Sequence, residues 1–245
     1  MPSEPPTMRC ISMNLEEMAQ ILKSSLGISE NIVGVRLFSK EEQIPKDLDQ
    51  MERPFHYCSM IQGARREAKS FLARADYHTC KGGAAGLGLM QCPENIATGA
   101  LYFDKLHKCE TPAVGVNIAT NMPRLLPGST VATYVAPLDK MVTNPDVVIF
   151  VGNPLQARRI VQAVMFKDGG RATFNTAGIQ SFCVDATSSP LIKGEVNVSL
   201  GCDGSARNSG LEDSDVVVGI PFAMVEGICN VLKDHYVGWD KFMRS

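Results

Sequence analysis

The chain has 245 residues, of which 44% are hydrophobic and 20% are charged, a composition typical of one folded domain with a substantial core. The net charge of −2 and the lack of a basic stripe argue against a nucleic-acid partner, and no apolar run is long enough to cross a bilayer. Because the N-terminus lacks the hydrophobic region of a signal peptide, we expect a cytoplasmic protein whose eight cysteines stay reduced.

The N-terminal part of the chain predicts a leader, a helix and a strand. The polar, proline-rich residues 1–13 are expected to form a disordered leader, and residues 14–245 a single domain. Asn14 can cap a helix that ends at Gly27, since glycine is common at helix ends. The Val/Ile-rich segment 32–38 then predicts a strand.

The middle of the chain alternates between helical and extended patterns. Residues 82–89 are rich in glycine and predict a turn or a short helix. The other predicted elements are helices at 59–71 and 93–103 and strands at 113–119 and 129–136.

The C-terminal half is organised around one strongly apolar strand. Residues 146–151 are apolar almost throughout rather than alternating, which predicts an interior strand buried on both faces. A helix opened by Pro154 follows, at 155–166. Further strands are predicted at 171–174, 195–200 and 216–220, and a last helix from 221 to 234.

The predicted fold class is α/β: a single compact domain with a mixed sheet and flanking helices. A duplication of two α/β halves stays open as an alternative. It rests on the likeness of residues 33–37 to 114–118 and of residues 61–66 to 155–159. Short matches of this kind also arise by chance.

Four cysteines lie in settings that favour a thiolate. Cys58 opens a predicted helix, Cys80 precedes the glycine-rich run, and Cys183 and Cys202 flank a late strand. Thiolates attack, oxidise or bind metal, and four of them can hold an iron–sulfur cluster, [4Fe–4S] or [2Fe–2S]. No Cys-x2-Cys pair is present. A zinc site with the same ligands and a set of buried structural thiols stay open as alternatives.

Two of these cysteines are also candidates for a nucleophile. His56 precedes Cys58 by two residues and His78 precedes Cys80 by two, and a neighbouring imidazole can activate a thiol. The alternative is that both histidines are solvated loop residues. No catalytic residue is assigned from the sequence, and whether the protein is an enzyme is left open.

A possible ligand site combines the glycine-rich run with the helix after the apolar strand. Gly82 and Gly83 allow close approach of the backbone to a ligand, although the run does not match a P-loop. Gln156 and Arg158 begin a helix at the end of a buried strand, where α/β proteins bind ligands. Simple capping of that helix is the alternative.

Several segments together resemble one known family. They are the Pro54-x3-Cys58 segment with residues 63–65, and residues 80–89, 144–158 and 202–221. Through them the chain resembles the domain-of-unknown-function 169 family over about residues 14 to 235. The resemblance implies one continuous fold but no reaction. The family's occurrence in archaea and anaerobic bacteria would suit an oxygen-sensitive metal centre.

We therefore expect an iron–sulfur redox or cofactor-associated protein with Cys58, Cys80, Cys183 and Cys202 as ligands. The first alternative is a binding protein for an anionic small molecule or a tetrapyrrole, and the second is a cysteine-dependent enzyme. The expected partner is a redox partner or a small-molecule ligand. Formation of a homo-oligomer stays open, and we expect no nucleic-acid or membrane partner.

Overall fold

The computed structural model describes residues 13–242, and their side chains to residue 235. Residues 1–12 of the predicted leader lie outside this range. Within it the chain forms one six-stranded sheet with helices on both faces, in the strand order β2-β3-β1-β4-β6-β5. The strands are β1 Val33–Phe38, β2 Phe71–Arg74, β3 Ala132–Pro137, β4 Val147–Gly152, β5 Asn197–Ser199 and β6 Val216–Pro221. This confirms the predicted α/β class.

The sheet is antiparallel in each of its five ladders. Parallel pairing in the described residues is limited to two isolated bridges, Gln50 with Leu72 and Phe55 with His78. The sequence predicted a mixed sheet, whereas the main ladders of the observed sheet are antiparallel. The reason is that connections between neighbouring strands return the chain in the opposite direction.

Strand β4 occupies the interior position that its sequence predicts. All six of its residues are buried, and it pairs with β1 on one side and β6 on the other. Alternate residues pack on opposite faces of the sheet: Val148 and Phe150 on one, Val147 and Ile149 on the other. An apolar residue is needed at every position for this reason.

The first face of the sheet is covered by three amphipathic helices. They are α1 Leu15–Leu26, α6 Pro154–Met165 and α9 Phe222–Phe242. Asn14 caps α1 by accepting from the Glu17 N–H at 2.8 Å, and Gly27 ends it in the left-handed conformation, as predicted. Their apolar residues form one continuous core against the sheet.

The second face is covered by shorter elements. They are α2 Tyr57–Glu67, α3 Lys81–Gly86, a π-helix at Ser181–Ser188, α7 Ser189–Lys193 and α8 Asp203–Ser209. The π-helix is buried along its whole length. It approaches β6 so closely that a methyl group on Gly219 would lie 2.1 Å from the Ala186 carbonyl oxygen. Glycine is therefore required where the two backbones meet.

A third group of helices forms a satellite core beside the second face. It comprises α4 Glu94–Ala97, a π-helix at Leu101–Lys105 and α5 Pro112–Asn121. Ile96, Tyr102 and Ala119 form its buried centre. No helix within the described residues combines the length and apolar character that a membrane span requires.

Two predicted strands were wrong, and one predicted helix is shorter than expected. Residues 113–119 are part of α5 and not a strand, because Thr111 caps the helix and Pro112 opens it. Residues 171–174 form no strand. The helix predicted to reach residue 71 ends at Glu67, where Ala68 turns left-handed, and β2 begins at Phe71.

The structure does not show the proposed duplication, although residues 61–66 and the similar residues 155–159 both lie in helices, α2 and α6. Residues 33–37 lie in a strand, whereas the similar residues 114–118 lie in helix α5. The sequence likeness between the two segments therefore does not reflect a repeated unit.

Candidate functional site: a cavity lined by four cysteines

The four cysteines selected from the sequence line the same cavity on the second face of the sheet. Its volume is about 720 Å³. Each sulfur comes from a different element: Cys58 from α2, Cys80 from the start of α3, Cys183 from the π-helix at 181–188, and Cys202 from the start of α8. The seven cysteines within the described residues are all free thiols.

Two of the cysteines cap the helices that they precede. The Cys80 Sγ accepts a hydrogen bond from the Gly83 N–H at 3.3 Å. The Cys202 Sγ accepts from the Ser205 N–H at 3.4 Å and from the Ser181 hydroxyl at 3.3 Å. Both sulfurs are therefore held at fixed positions by donors that also stabilise a negative charge on them.

Gly83 separates the sulfurs of Cys80 and Cys183. A methyl group on Gly83 would lie 3.3 Å from the Cys183 Sγ and 3.6 Å from the Cys80 Sγ. Gly82 is equally restricted, since a methyl group there would lie 2.5 Å from the Gln180 Nε2. The glycines of α3 therefore leave room for the sulfurs and for the cavity wall, and both line the cavity.

Cys58, Cys183 and Cys202 differ in acidity. Burial raises the pKa of Cys58 to about 11. A hydrogen bond from Ser209 lowers this pKa, but its effect is smaller than that of burial. Burial raises the pKa of Cys183 still more clearly, and negative charge on Cys80, Cys202 and Cys58 raises it further. Like charges on neighbouring thiols oppose one another's ionisation.

Cys202 has the opposite shift. Burial alone would raise its pKa, but hydrogen bonds from Ser181 and Ser205 outweigh burial and lower the pKa below the ordinary value. Cys202 is therefore ionised more readily than Cys58 or Cys183.

A single metal ion would require the four sulfurs to lie close together. Four thiolates at about 2.3 Å from one tetrahedral ion would lie about 3.8 Å from each other. Among the described residues, no group of three or more His, Cys, Asp or Glu side chains is placed to hold one ion. This finding favours neither the zinc alternative nor the iron–sulfur cluster.

Of the two histidines selected from the sequence, one lines the cavity and the other does not. His56 lines the cavity. His78 does not face Cys80, because its Nε2 is hydrogen-bonded to the Thr133 hydroxyl at 3.1 Å. Burial lowers the pKa of His78 to about 4, so the ring is neutral at physiological pH. The spacing of two residues between His78 and Cys80 therefore does not bring their side chains together.

Gln156 and Arg158 are not among the residues that line the cavity. The Gln156 side chain accepts from the Asn153 N–H at 2.9 Å and donates to the Leu26 carbonyl at 3.0 Å. It thereby caps α6 and ties it to α1. Arg158 is exposed on α6. The structure thus assigns Gln156 the capping role that the sequence left as an alternative.

Sequence reasoning did not find the basic residues at the mouth of the cavity. Lys81, Lys105, Lys108 and Arg207 line it together with one carboxylate, Asp203, which pairs with Lys108. Their positions in the chain carry no shared motif. Only the packing of the satellite helices beside α3 and α8 places these side chains around one opening.

Comparisons with known proteins identify the family of the chain. The model of the domain-of-unknown-function 169 family, described as uncharacterised ArCR, matches residues 21–231. An uncharacterised protein of Methanocaldococcus jannaschii is 34% identical over 226 residues, which cover 92% of this chain and 96% of that protein. No solved structure matches the chain significantly. On the strength of the family match over most of its length, the chain belongs to the domain-of-unknown-function 169 family.

Proposed function

We propose that the protein binds an iron–sulfur cluster through Cys58, Cys80, Cys183 and Cys202 and acts as a redox or cofactor-associated protein. The observation that carries the proposal is the meeting of four cysteines, separated by up to 144 positions in the chain, at one cavity. Ordinary packing does not require free thiols to meet. The proposal places the protein in the cytoplasm, where reducing conditions keep such thiols free.

The residues around the four sulfurs fit a cluster chemically. A cluster divides its ligands among several irons, so its thiolates lie further apart than those around a single ion. Backbone and hydroxyl donors from Gly83, Ser181 and Ser205 already reach two of the sulfurs. Hydrogen bonds of this kind tune the reduction potential of a cluster.

The raised pKa values of two of the thiols make cluster binding dependent on pH. A metal centre binds thiolates, so Cys58 and Cys183 must each lose a proton that burial favours in the empty site. The positive charge of the irons would replace the repulsion among the four sulfurs by attraction. Cluster binding should therefore release protons and become weaker as the pH falls.

Purification without oxygen tests this function. We expect a brown protein with about four irons and four sulfides per chain, as a [4Fe–4S] cluster with four thiolate ligands requires. Cys80→Ser should lose colour and iron. Cys109→Ser is the matched control, because Cys109 is a free thiol that does not line the cavity. A colourless wild-type protein with intact thiols after reconstitution with iron and sulfide would exclude the cluster.

A cysteine-dependent enzyme is the second candidate, and the properties of Cys202 favour it. Cys202 is the thiol of this site whose pKa is lowered, and two serines hold its sulfur at the cavity. Sequence reasoning selected Cys58 or Cys80 instead, but the raised pKa of Cys58 makes it a poor nucleophile. Selective alkylation of Cys202 in a colourless protein, faster than that of Cys58, would favour this candidate over the cluster.

A further inference from the structure

The cavity is larger than four ligands and a cluster require. The four sulfurs occupy one part of its wall, while the remainder is formed by residues of the satellite helices and of α8. Its volume of about 720 Å³ lies within the range of pockets that bind small molecules, about 300–1,000 Å³. The cavity as a whole therefore has the size of a ligand site, and the sulfurs occupy only part of its wall.

The mouth of this space is positively charged. Lys81, Lys105, Lys108 and Arg207 line the cavity, and within the described residues Asp203 is the single carboxylate that lines it. Asp203 pairs with Lys108, which leaves a surplus of positive charge. The basic residues come from α3, from the satellite helices and from α8, so the charge surrounds the opening rather than following one helix.

The wall behind the basic residues is apolar. It includes aromatic and aliphatic side chains from the satellite group, from the π-helix at 181–188 and from the segment before that π-helix: Ile96, Leu101, Tyr102, Leu106, Ile179 and Phe182. Leu106 is 46% exposed, although it is a large hydrophobic residue. Such a wall suits the carbon skeleton of an organic ligand.

Gln180 adds an unsatisfied acceptor to the same wall. Its Oε1 is buried and has no hydrogen-bond partner among the described residues. Its backbone is left-handed, with φ 55°, which is uncommon for a residue other than glycine. Burial of an unpaired acceptor is unfavourable, so a donor on a ligand would remove this cost.

We propose that the open side of the cavity binds a small organic anion, with its charged group at the basic mouth and its skeleton against the apolar wall. The inference rests on the proposed function for the identity of the neighbouring cluster. It extends that function from a cluster carrier to a protein whose cluster has a ligand beside it. A competing interpretation is that the basic residues serve only to offset the negative charge of the thiolates.

Fluorescence titration with an anionic naphthalene probe, 8-anilinonaphthalene-1-sulfonate, tests this inference. We expect saturable binding to the cluster-loaded protein, and about fivefold weaker binding for Arg207→Gln and for Lys105→Gln, the size of one solvated charge contact. Arg158→Gln is the matched control, since Arg158 is exposed on α6 and does not line the cavity. Its affinity should equal that of the wild type.

A neutral probe with the same skeleton, N-phenyl-1-naphthylamine, separates charge from apolar contact. Its affinity should be lower than that of the sulfonate and unaffected by Arg207→Gln. Salt should weaken binding of the sulfonate alone, because mobile ions screen charged contacts.

Iron and sulfide are measured on the same samples, so the two proposals can fail separately. Full cluster content with equal sulfonate affinity in Arg207→Gln, Lys105→Gln and wild type would overturn the anion site and leave the cluster proposal standing. Charge-dependent sulfonate binding by a protein that never takes up iron would support the anion site and remove the cluster beside it.

Discussion

One face of the sheet is covered by long amphipathic helices, whereas the other is covered by short helices, a buried π-helix and glycine-rich segments. On the first face, α1, α6 and α9 pack apolar side chains against β4 and β6. On the second face the buried residues include many polar side chains: Gln62, Arg65, His78, Ser181, Asp185, Thr187, Ser188 and Ser189. The same sheet thus supports two kinds of packing.

We infer that the first face mainly stabilises the fold, whereas the second face holds the groups that can carry out chemistry. The first face buries mostly apolar side chains, and their removal from water is the simplest source of stability. The second face buries polar groups that must be hydrogen-bonded, and it holds the cavity with its four cysteines. The regular first face can stabilise the less regular second face through the strands they share. The following variants test this separation.

The largest difference is expected between buried cysteines on opposite faces. Cys183 lines the cavity with the other three thiols, whereas Cys229 lies in the core of the first face, where its thiol donates to the Met18 carbonyl at 3.8 Å. Cys183→Ser should abolish iron binding, and Cys229→Ser should retain it. Iron analysis after anaerobic purification measures both. Equal iron content in the two variants would contradict the division between the faces.

Gly219→Ala should destabilise the protein by about 3 kcal/mol or more. The added methyl group would lie 2.1 Å from the backbone oxygen of Ala186, and the buried π-helix cannot move away without disturbing its own packing. Gly34→Ala is the control in β1, since its methyl group would meet the flexible Met141 side chain. Urea unfolding measures both, and a smaller loss for Gly219→Ala than for Gly34→Ala would show that the π-helix is readily displaced.

Two arginines on α2 allow a buried ion pair to be compared with a half-exposed one: Arg65 is buried, and Arg66 is half-exposed. Arg65 is 8% exposed and contacts Glu30 and Asp215, the latter at 3.5 Å. Arg65→Ala leaves these carboxylates without a buried partner and should cost about 3 kcal/mol. Arg66→Ala removes contacts that solvent screens and should cost less than about 1 kcal/mol. Thermal unfolding of the two variants gives the comparison, and similar midpoints would contradict it.

Gly227→Ala should have the smallest effect and the opposite sign. Gly227 is an exposed residue of α9, and no atom lies within 4 Å of an added methyl group. Alanine favours a helix over glycine by about 1 kcal/mol, so the variant should be more stable than the wild type. A lower unfolding midpoint would mean that this surface of α9 is covered in solution.

Several features of the fold are determined by local sequence. Asn14 and Gly27 delimit α1 because capping depends on a side chain and a backbone conformation within the same few residues. The apolar run of β4 identifies an interior strand because both of its faces must be buried. The four cysteines are also recognisable in the sequence, because they lie beside glycines or at the start of predicted helices. The structure places all four at one cavity.

Other features depend on contacts that no local pattern contains. Residues 113–119 have the Val/Ile content of a strand but form α5: Thr111 and Pro112 start the helix locally, and the close packing of Gly115 against Gly99 joins it to the satellite group. The buried π-helix at 181–188 is stabilised by contacts with α2, α3 and β6.

At the candidate site, too, local sequence identifies only some of the features. The sequence by itself determined which thiols were candidates, since the neighbours of a cysteine along the chain influence its acidity. Only the tertiary structure decided that Gln156 caps a helix, that His78 faces Thr133, and that Lys105 and Arg207 share the mouth of one cavity. Convergence of this kind depends on how separate elements pack against the sheet, and packing is a property of the whole chain.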